Sequence, residues 1–230
     1  MVSLVRFVDV YFSYNRQDYI FEKVNLSIGE YGVTGVISDI GKGKTTLLKL
    51  IKGILKPTAG SVIVMDIDTS RATKRQLMTL HSKVSISFQD VFLISNMNVF
   101  DNLSLPLLYN TNLSQKEVES MIDKVLDTFG ISSMKYELPS DLSISESKIV
   151  SIARAFAGNP RIILLDDPFS LLDKYYLSLV IEQIQRKSKN SKIIFSTTND
   201  SMFYNISDET IFIKDPSNIY LSKVNQCKIE

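Results

Sequence analysis

Residues 31–53 read YGVTGVISDIGKGKTTLLKLIKG, and three kinds of chain follow one another within them. Tyr31 to Ile37 is a short apolar run with β-branched residues, which predicts a strand. Ser38 to Gly43 is a loop carrying Gly41 and Gly43. Lys44 to Ile54 places apolar residues at helical spacing with no glycine before Gly53, which predicts a helix. A strand, a glycine-containing loop and a helix in that order point to an α/β fold.

The flanking sequence extends this pattern. On the N-terminal side, Val2 to Tyr14 and Tyr19 to Ile28 are rich in Val, Phe, Tyr and Ile, with the polar run Asn15 to Asp18 between them, and read as two strands of an N-terminal antiparallel β part. On the C-terminal side come a strand at 61–66, a short helix at about Thr73 to His81, and a strand at 84–88. Ser114 to Glu117 is a capping box that opens a helix running to about Phe129 and stopping at Gly130. A helix at 144–156, a strand at 161–166, a helix from about Tyr175 to Lys187 and a strand at 192–196 complete the alternation. Such alternation predicts a mainly parallel sheet flanked by helices. The mostly helical block from Asp90 to Pro139 interrupts it and reads as part of an inserted helical subdomain. The whole chain, 1–230, is expected to be one domain, with 1–89 and 158–230 as its core and about 90–157 as the helical part.

Composition excludes several functions. The chain has 230 residues, 44% hydrophobic and 22% charged, which suits a folded protein with one substantial core and not a disordered one. Twenty-six basic and 25 acidic residues leave a formal charge of +1, so no general field draws in nucleic acid. Cys227, the single cysteine, has no internal disulfide partner, and the N-terminus lacks the apolar core of a secretory signal. No stretch has the length of a membrane span. These features lead us to expect a cytoplasmic setting, with any membrane-spanning done by another chain.

The loop carries chemistry. SDIGKGKT, residues 38–45, follows the P-loop pattern G-x-x-x-x-G-K-S/T except that Ser38 replaces the first glycine. In that pattern Gly43 lets backbone approach phosphate, amide N–H groups and the helix dipole face the anion, Lys44 brings a mobile positive charge, and Thr45 ligates Mg²⁺. Ser38, Gly41, Gly43, Lys44, Thr45 and Thr46 are the candidate phosphate-binding residues, and the fold class becomes that of a P-loop NTPase.

Beyond the loop, LSISESKIVSIARAFAGNPRIILLDDPFSLLD, residues 142–173, resembles the heart of the ATP-binding-cassette (ABC) ATPases, and with the other motifs the resemblance covers essentially the whole chain. It implies that Tyr14 stacks on adenine, that Gln89 links Mg²⁺ and the attacking water to the region touching a membrane subunit, and that Ser143 caps ATP held by the other member of a head-to-tail dimer. It implies that Asp166 holds Mg²⁺, that Asp167 stands where the family has the glutamate that polarises the attacking water, and that Asn199 stands where the family has a switch histidine; a register one residue earlier puts Thr198 there instead. The only histidine, His81, reads as a surface or core residue.

Ile144 and Ser145 replace two glycines of the family's LSGGQ, and Asp167 is one methylene short of glutamate. The expectation is therefore an ATP- and Mg²⁺-binding subunit with weak hydrolysis, in which Asp167, Asn199 and Gln89 are the weakened catalytic set and Thr45, Gln89 and Asp166 the metal set. The resemblance implies an integral membrane permease as partner, a homodimer or a heterodimer with another ABC ATPase, and a peripheral place on the inner face of the membrane. Residues 96–107, 111–114 and 166–169 look most like the ATPases of MCE-associated, Mla-type phospholipid transporters, which implies lipid or other hydrophobic cargo and an MCE-domain partner. A non-hydrolysing regulatory or scaffold subunit is the competing reading.

Overall fold

The computed structural model describes residues 3–110, 113–198 and 206–223. Two sheets and six helices make up the described chain. Strands β1 (Val5–Ser13), β2 (Tyr19–Ile28), β4 (Ala59–Val64) and β5 (Ile67–Asp68) form a four-stranded antiparallel sheet in the order β2-β1-β4-β5. The second sheet takes β3 (Gly32–Ile37), β6 (Val84–Ser87), β7 (Ile162–Asp166), β8 (Lys192–Thr197), β9 (Glu209–Asp215) and β10 (Asn218–Lys223) in the order β10-β9-β3-β8-β7-β6. Its strands run parallel except for the β9–β10 hairpin. The helices are α1 (Lys44–Lys52), α2 (Lys74–Lys83), α3 (Val99–Asn110), α4 (Gln115–Thr128), α5 (Ile144–Phe156) and α6 (Lys174–Lys187). None is long and apolar enough, among the described residues, to cross a membrane.

At the centre of the parallel sheet every residue of β7 and β8 is buried, and β7 reads as an apolar run up to Asp166, as a strand covered on both faces does. Alternate residues of β7 serve two cores. Ile162 and Leu164 join the core between the two sheets, and Ile163 and Leu165 join the core beneath α3, α4, α5 and α6. Helix α1 lies in the first core with Leu47, Leu48, Leu50 and Ile51 fully buried, each contributing about 2 kcal/mol of apolar burial. That anchoring fixes the start of α1 relative to the ends of β3, β7 and β8.

Element ends follow local chemistry. Helix α1 stops at Lys52, two residues before the expected end, because Gly53 adopts φ +74° and its N–H turns back to Leu50 O. The strand expected at 61–66 runs from 59 to 64 instead, since Met65 and Asp66 both take positive φ to make the tight turn into β5. Helix α2 continues to Lys83, two residues past the expected end. Helix α4 carries the Ser114–Glu117 capping box read from sequence. Strands β5, β9 and β10 were not anticipated; Glu22 N donates to Pro216 O at 2.8 Å, tying the edge strand β2 to the β9–β10 turn.

Gly60 shows how closely the antiparallel sheet is built. Its φ is +82°, and a Cβ there would lie 2.1 Å from Asp9 O. Gly60→Ala should destabilise the protein by about 2–3 kcal/mol, while Gly29→Ala, with no atom within 4 Å of a Cβ, should stay within about 0.5 kcal/mol of wild type. Chemical denaturation of the two variants checks this.

Candidate functional site

The site lies where β3, β7 and β8 end and α1 begins, the usual place for a ligand on an open parallel sheet. Gly41 and Gly43 sit at φ +81° and +101°, conformations that favour glycine. A Cβ on Gly43 would also meet Ile20 Cγ2 at 2.6 Å, so neither a left-handed backbone nor the available space allows a side chain. Gly43 is the N-cap of α1; no side chain caps the first turn and no acidic residue stands in it. The first-turn N–H groups and the positive end of the helix dipole are thus left for an anion.

Three side chains lock the strand ends together. Thr45 Oγ1 donates to Asp166 Oδ2 at 2.7 Å, and Ser196 Oγ donates to Asp166 Oδ1 at 2.5 Å. Asp166 is buried, and both of its oxygens are engaged. Ser196 Oγ also accepts from Asp167 N at 3.0 Å. Asp167 adopts φ +45°, a conformation that Asp tolerates better than most residues.

Lys44 folds back on the loop. Its Nζ donates to Ser38 O at 2.7 Å, to Ser38 Oγ at 3.2 Å and to Asp39 O at 3.2 Å. Burial lowers its pKa below the usual lysine value, and Asp166, Asp167 and Asp39 act in the opposite direction. Ser38 is absent from the residues with positive φ, so this position does not need glycine for its backbone, and the serine hydroxyl becomes a resting partner for Lys44.

A cleft of about 380 Å³ gathers Tyr14, Gly41, Gly43, Lys44, Thr45, Thr46, Gln89, Asp166 and Asp167. Nine residues singled out from sequence therefore share one cavity. Tyr14 is largely exposed, with its hydroxyl 3.1 Å from Thr46 Oγ1. Ser38 lies outside the cleft lining and lines a neighbouring depression with Asp39, Phe212 and Lys214. Ser143 is also outside it: at the start of α5 its Oγ accepts from Glu146 N at 3.3 Å, while its own N–H donates to Glu146 Oε2 at 2.7 Å, a capping box. Asn199 lies outside the described residues; Thr198, the other candidate for that position, lines the cleft. Ile20, Ile40, Ser196 and Thr197 line it too and were not anticipated. Ser196 is brought opposite Asp166 by the β7–β8 register, a pairing that no local pattern in KIIFST marks.

The donor set suits a magnesium nucleotide. Among the described residues no group of three or more His, Cys, Asp or Glu could hold a metal ion. A cation at Thr45 and Asp166 would therefore complete its shell with phosphate oxygens and water, as Mg²⁺ does and as Zn²⁺ or Ca²⁺ sites generally do not.

A family model described as ABC transporter matches residues 21–170. The methionine import ATP-binding protein MetN of Vibrio vulnificus (strain YJ016) is 28% identical over 193 residues, covering 84% of this chain and 56% of that protein. MetN of Haemophilus influenzae (strain 86-028NP) is 32% identical over 173 residues, covering 75% and 50%. The chain thus spans about half the length of these curated relatives. A structure described as a dimeric, post-hydrolysis state of the ATP-binding cassette MJ0796 bound to ADP and Pi superposes with a TM-score of 0.87 at 25% identity, covering 96% of this chain and 98% of that one.

Ser196→Ala would leave Asp166 Oδ1 and Asp167 N without this shared partner. It should cost about 1–3 kcal/mol, measured as a lower unfolding midpoint, with the sheet otherwise intact by circular dichroism.

Proposed function

The chain belongs to the ABC transporter family, and from that premise we propose that it is the ATP-binding subunit of a transporter whose hydrolysis is slow. In this reading Tyr14 stacks on adenine, and the loop from Ser38 to Thr46 binds the phosphates through backbone N–H groups and Lys44. Thr45, Asp166 and Gln89 hold Mg²⁺, which would neutralise phosphate charge when bound. Asp167 orients water, and Ser143 faces a nucleotide bound by a second subunit. Residues 1–230 act as one domain, with about 90–157 as its helical part.

The observation that carries binding is the convergence of Lys44, Thr45, Asp166 and Gln89 on one cleft around the uncapped start of α1. Slow hydrolysis is supported by side-chain chemistry. General-base catalysis is worth about 10²–10⁴-fold, and misplacing a group by about 1 Å costs about 10²-fold; aspartate at 167 is short by one methylene. Asn199 is no substitute for an imidazole as a proton carrier. Ile144 stands largely exposed at the start of α5, where a β-branched side chain obstructs a close approach of backbone to phosphate.

As an ABC subunit the chain would pair as a homodimer or with another ABC ATPase and sit against the cytoplasmic side of an integral membrane permease. The relatives are named for methionine import and lend no support to lipid cargo or an MCE-domain partner. The proposal carried forward is the ATP-binding role, with cargo set by the permease. A regulatory subunit that closes on ATP without cycling is the second reading, favoured by the same changes at Asp167 and Ile144.

Lys44→Ala should weaken MgATP binding by about 100-fold or more, the scale of losing a charge-assisted contact of about 3 kcal/mol. Asp167→Glu should raise turnover at least about tenfold. Isothermal titration and phosphate release, measured with the permease present, check both. Unchanged binding in Lys44→Ala refutes the site, and wild-type turnover equal to Asp167→Glu refutes the short-base account.

A further inference from the structure

One buried cation near the cleft has no part in that account. Lys148, on the first turns of α5, is fully buried. Its Nζ donates to Gln89 O at 2.8 Å and reaches Phe88 O at 3.4 Å. Strand β6 ends at Ser87, whose ladder partner is Leu165, so the carbonyls of 88 and 89 lie past the end of the sheet's register. The ammonium takes the place of a strand neighbour for them.

Burying an ammonium is costly unless acceptors and opposite charges surround it. An apolar side chain at 148 would avoid that cost within a helix that already buries Ile149, Val150, Ile152 and Ala153. What the charge adds is a hold on the backbone that carries Gln89 and a cation close enough for Asp167, Asp166 and Asp90 to act on it. The same helix reaches this segment twice more. Ser151 Oγ lies 3.3 Å from Ser87 Oγ, and Arg154 Nη2 donates to Phe92 O at 2.6 Å. Helix α5 thus splints residues 87–92, and Lys148 is the contact nearest the cleft.

We propose that Lys148 is a positioning residue for the metal end of the cleft, fixing the Gln89 backbone so that the Gln89 side chain faces the space beside Asp166 and Asp167. This rests on the MgATP-binding reading given above. Its role is distinct from that of Lys44, which approaches the loop and not the Gln89 segment.

The sign of one measurement separates positioning from simple charge. The readout is the Mg²⁺ concentration at half-maximal binding of the fluorescent analogue mant-ATP. Removing a cation from beside two carboxylates would, by charge alone, strengthen Mg²⁺ binding and lower that midpoint. Loss of positioning weakens it instead. Lys148→Met should raise the midpoint about tenfold, the scale seen when groups that orient a metal ligand are removed. Gln89→Ala should raise it similarly, and the double variant should go no further than the worse single one, because both act through one side chain. A fall or no change in Lys148→Met overturns the proposal, as does full additivity or an unchanged midpoint in Gln89→Ala. Where Lys148→Met does not melt cooperatively, Lys148→Leu, which likewise removes both the donor to Gln89 O and the charge, carries the test with the same sign. Wild-type protein that binds no Mg²⁺–mant-ATP overturns the ATP-binding reading itself, and the role of Lys148 with it.

Discussion

The hydrogen bonds from Thr45 and Ser196 to the two oxygens of Asp166 are the constraint on which the site depends. They join the start of α1 to the ends of β7 and β8. A buried carboxylate with both oxygens satisfied tolerates few other arrangements, because an unpaired buried charge would cost more than the contacts return. The strand register that opposes Asp166 and Ser196 and the packing that drives α1 into the core between the sheets are both needed to place these three groups. The glycine loop between β3 and α1 can then bring Gly41, Gly43 and the uncapped start of α1 to the cleft.

Charge around this centre is balanced by position and not by number. Lys44 and Lys148 approach the carboxylates of Asp166 and Asp167 from different elements. Lys44 has acceptors on its own loop, including the serine that replaces a glycine, and is therefore held near the anion site without being committed to it. Lys148 is committed to backbone carbonyls. One cation can follow a ligand while the other maintains the wall. In the proposed reading, that difference would separate binding a phosphate from arranging water and metal for attack, and Asp167 and Ile144 would bear on the second.

Much of this was legible in residues 31–53 and 142–173. Strand, loop and helix followed from apolar spacing and from glycines, and β2, Tyr19–Ile28, has the bounds that its composition suggested. The Ser114 cap was a local signal, since it needs only a hydroxyl and a carboxylate three residues later; the structure adds the same box at Ser143 and Glu146, a serine first singled out for a different role. What stayed hidden was non-local. Every residue of β8 is buried, so no alternation marked Ser196 as facing Asp166. Lys148 reads as one polar position in a helix until α5 is packed against the end of β6. The left-handed turn at Met65 and Asp66 involves neither glycine nor asparagine, and so shifted the strand ahead of it without warning.

The central claim is that this cleft holds MgATP far better than it consumes it. Its most direct test is the chemical state of nucleotide retained by the wild-type protein after mixing an excess of protein with radiolabelled ATP and Mg²⁺. The account predicts that nucleotide is retained and is recovered as ATP after minutes. Conversion to ADP at about 1 s⁻¹ or faster, within the ordinary range of enzyme turnover, or failure to retain nucleotide at all, would contradict it.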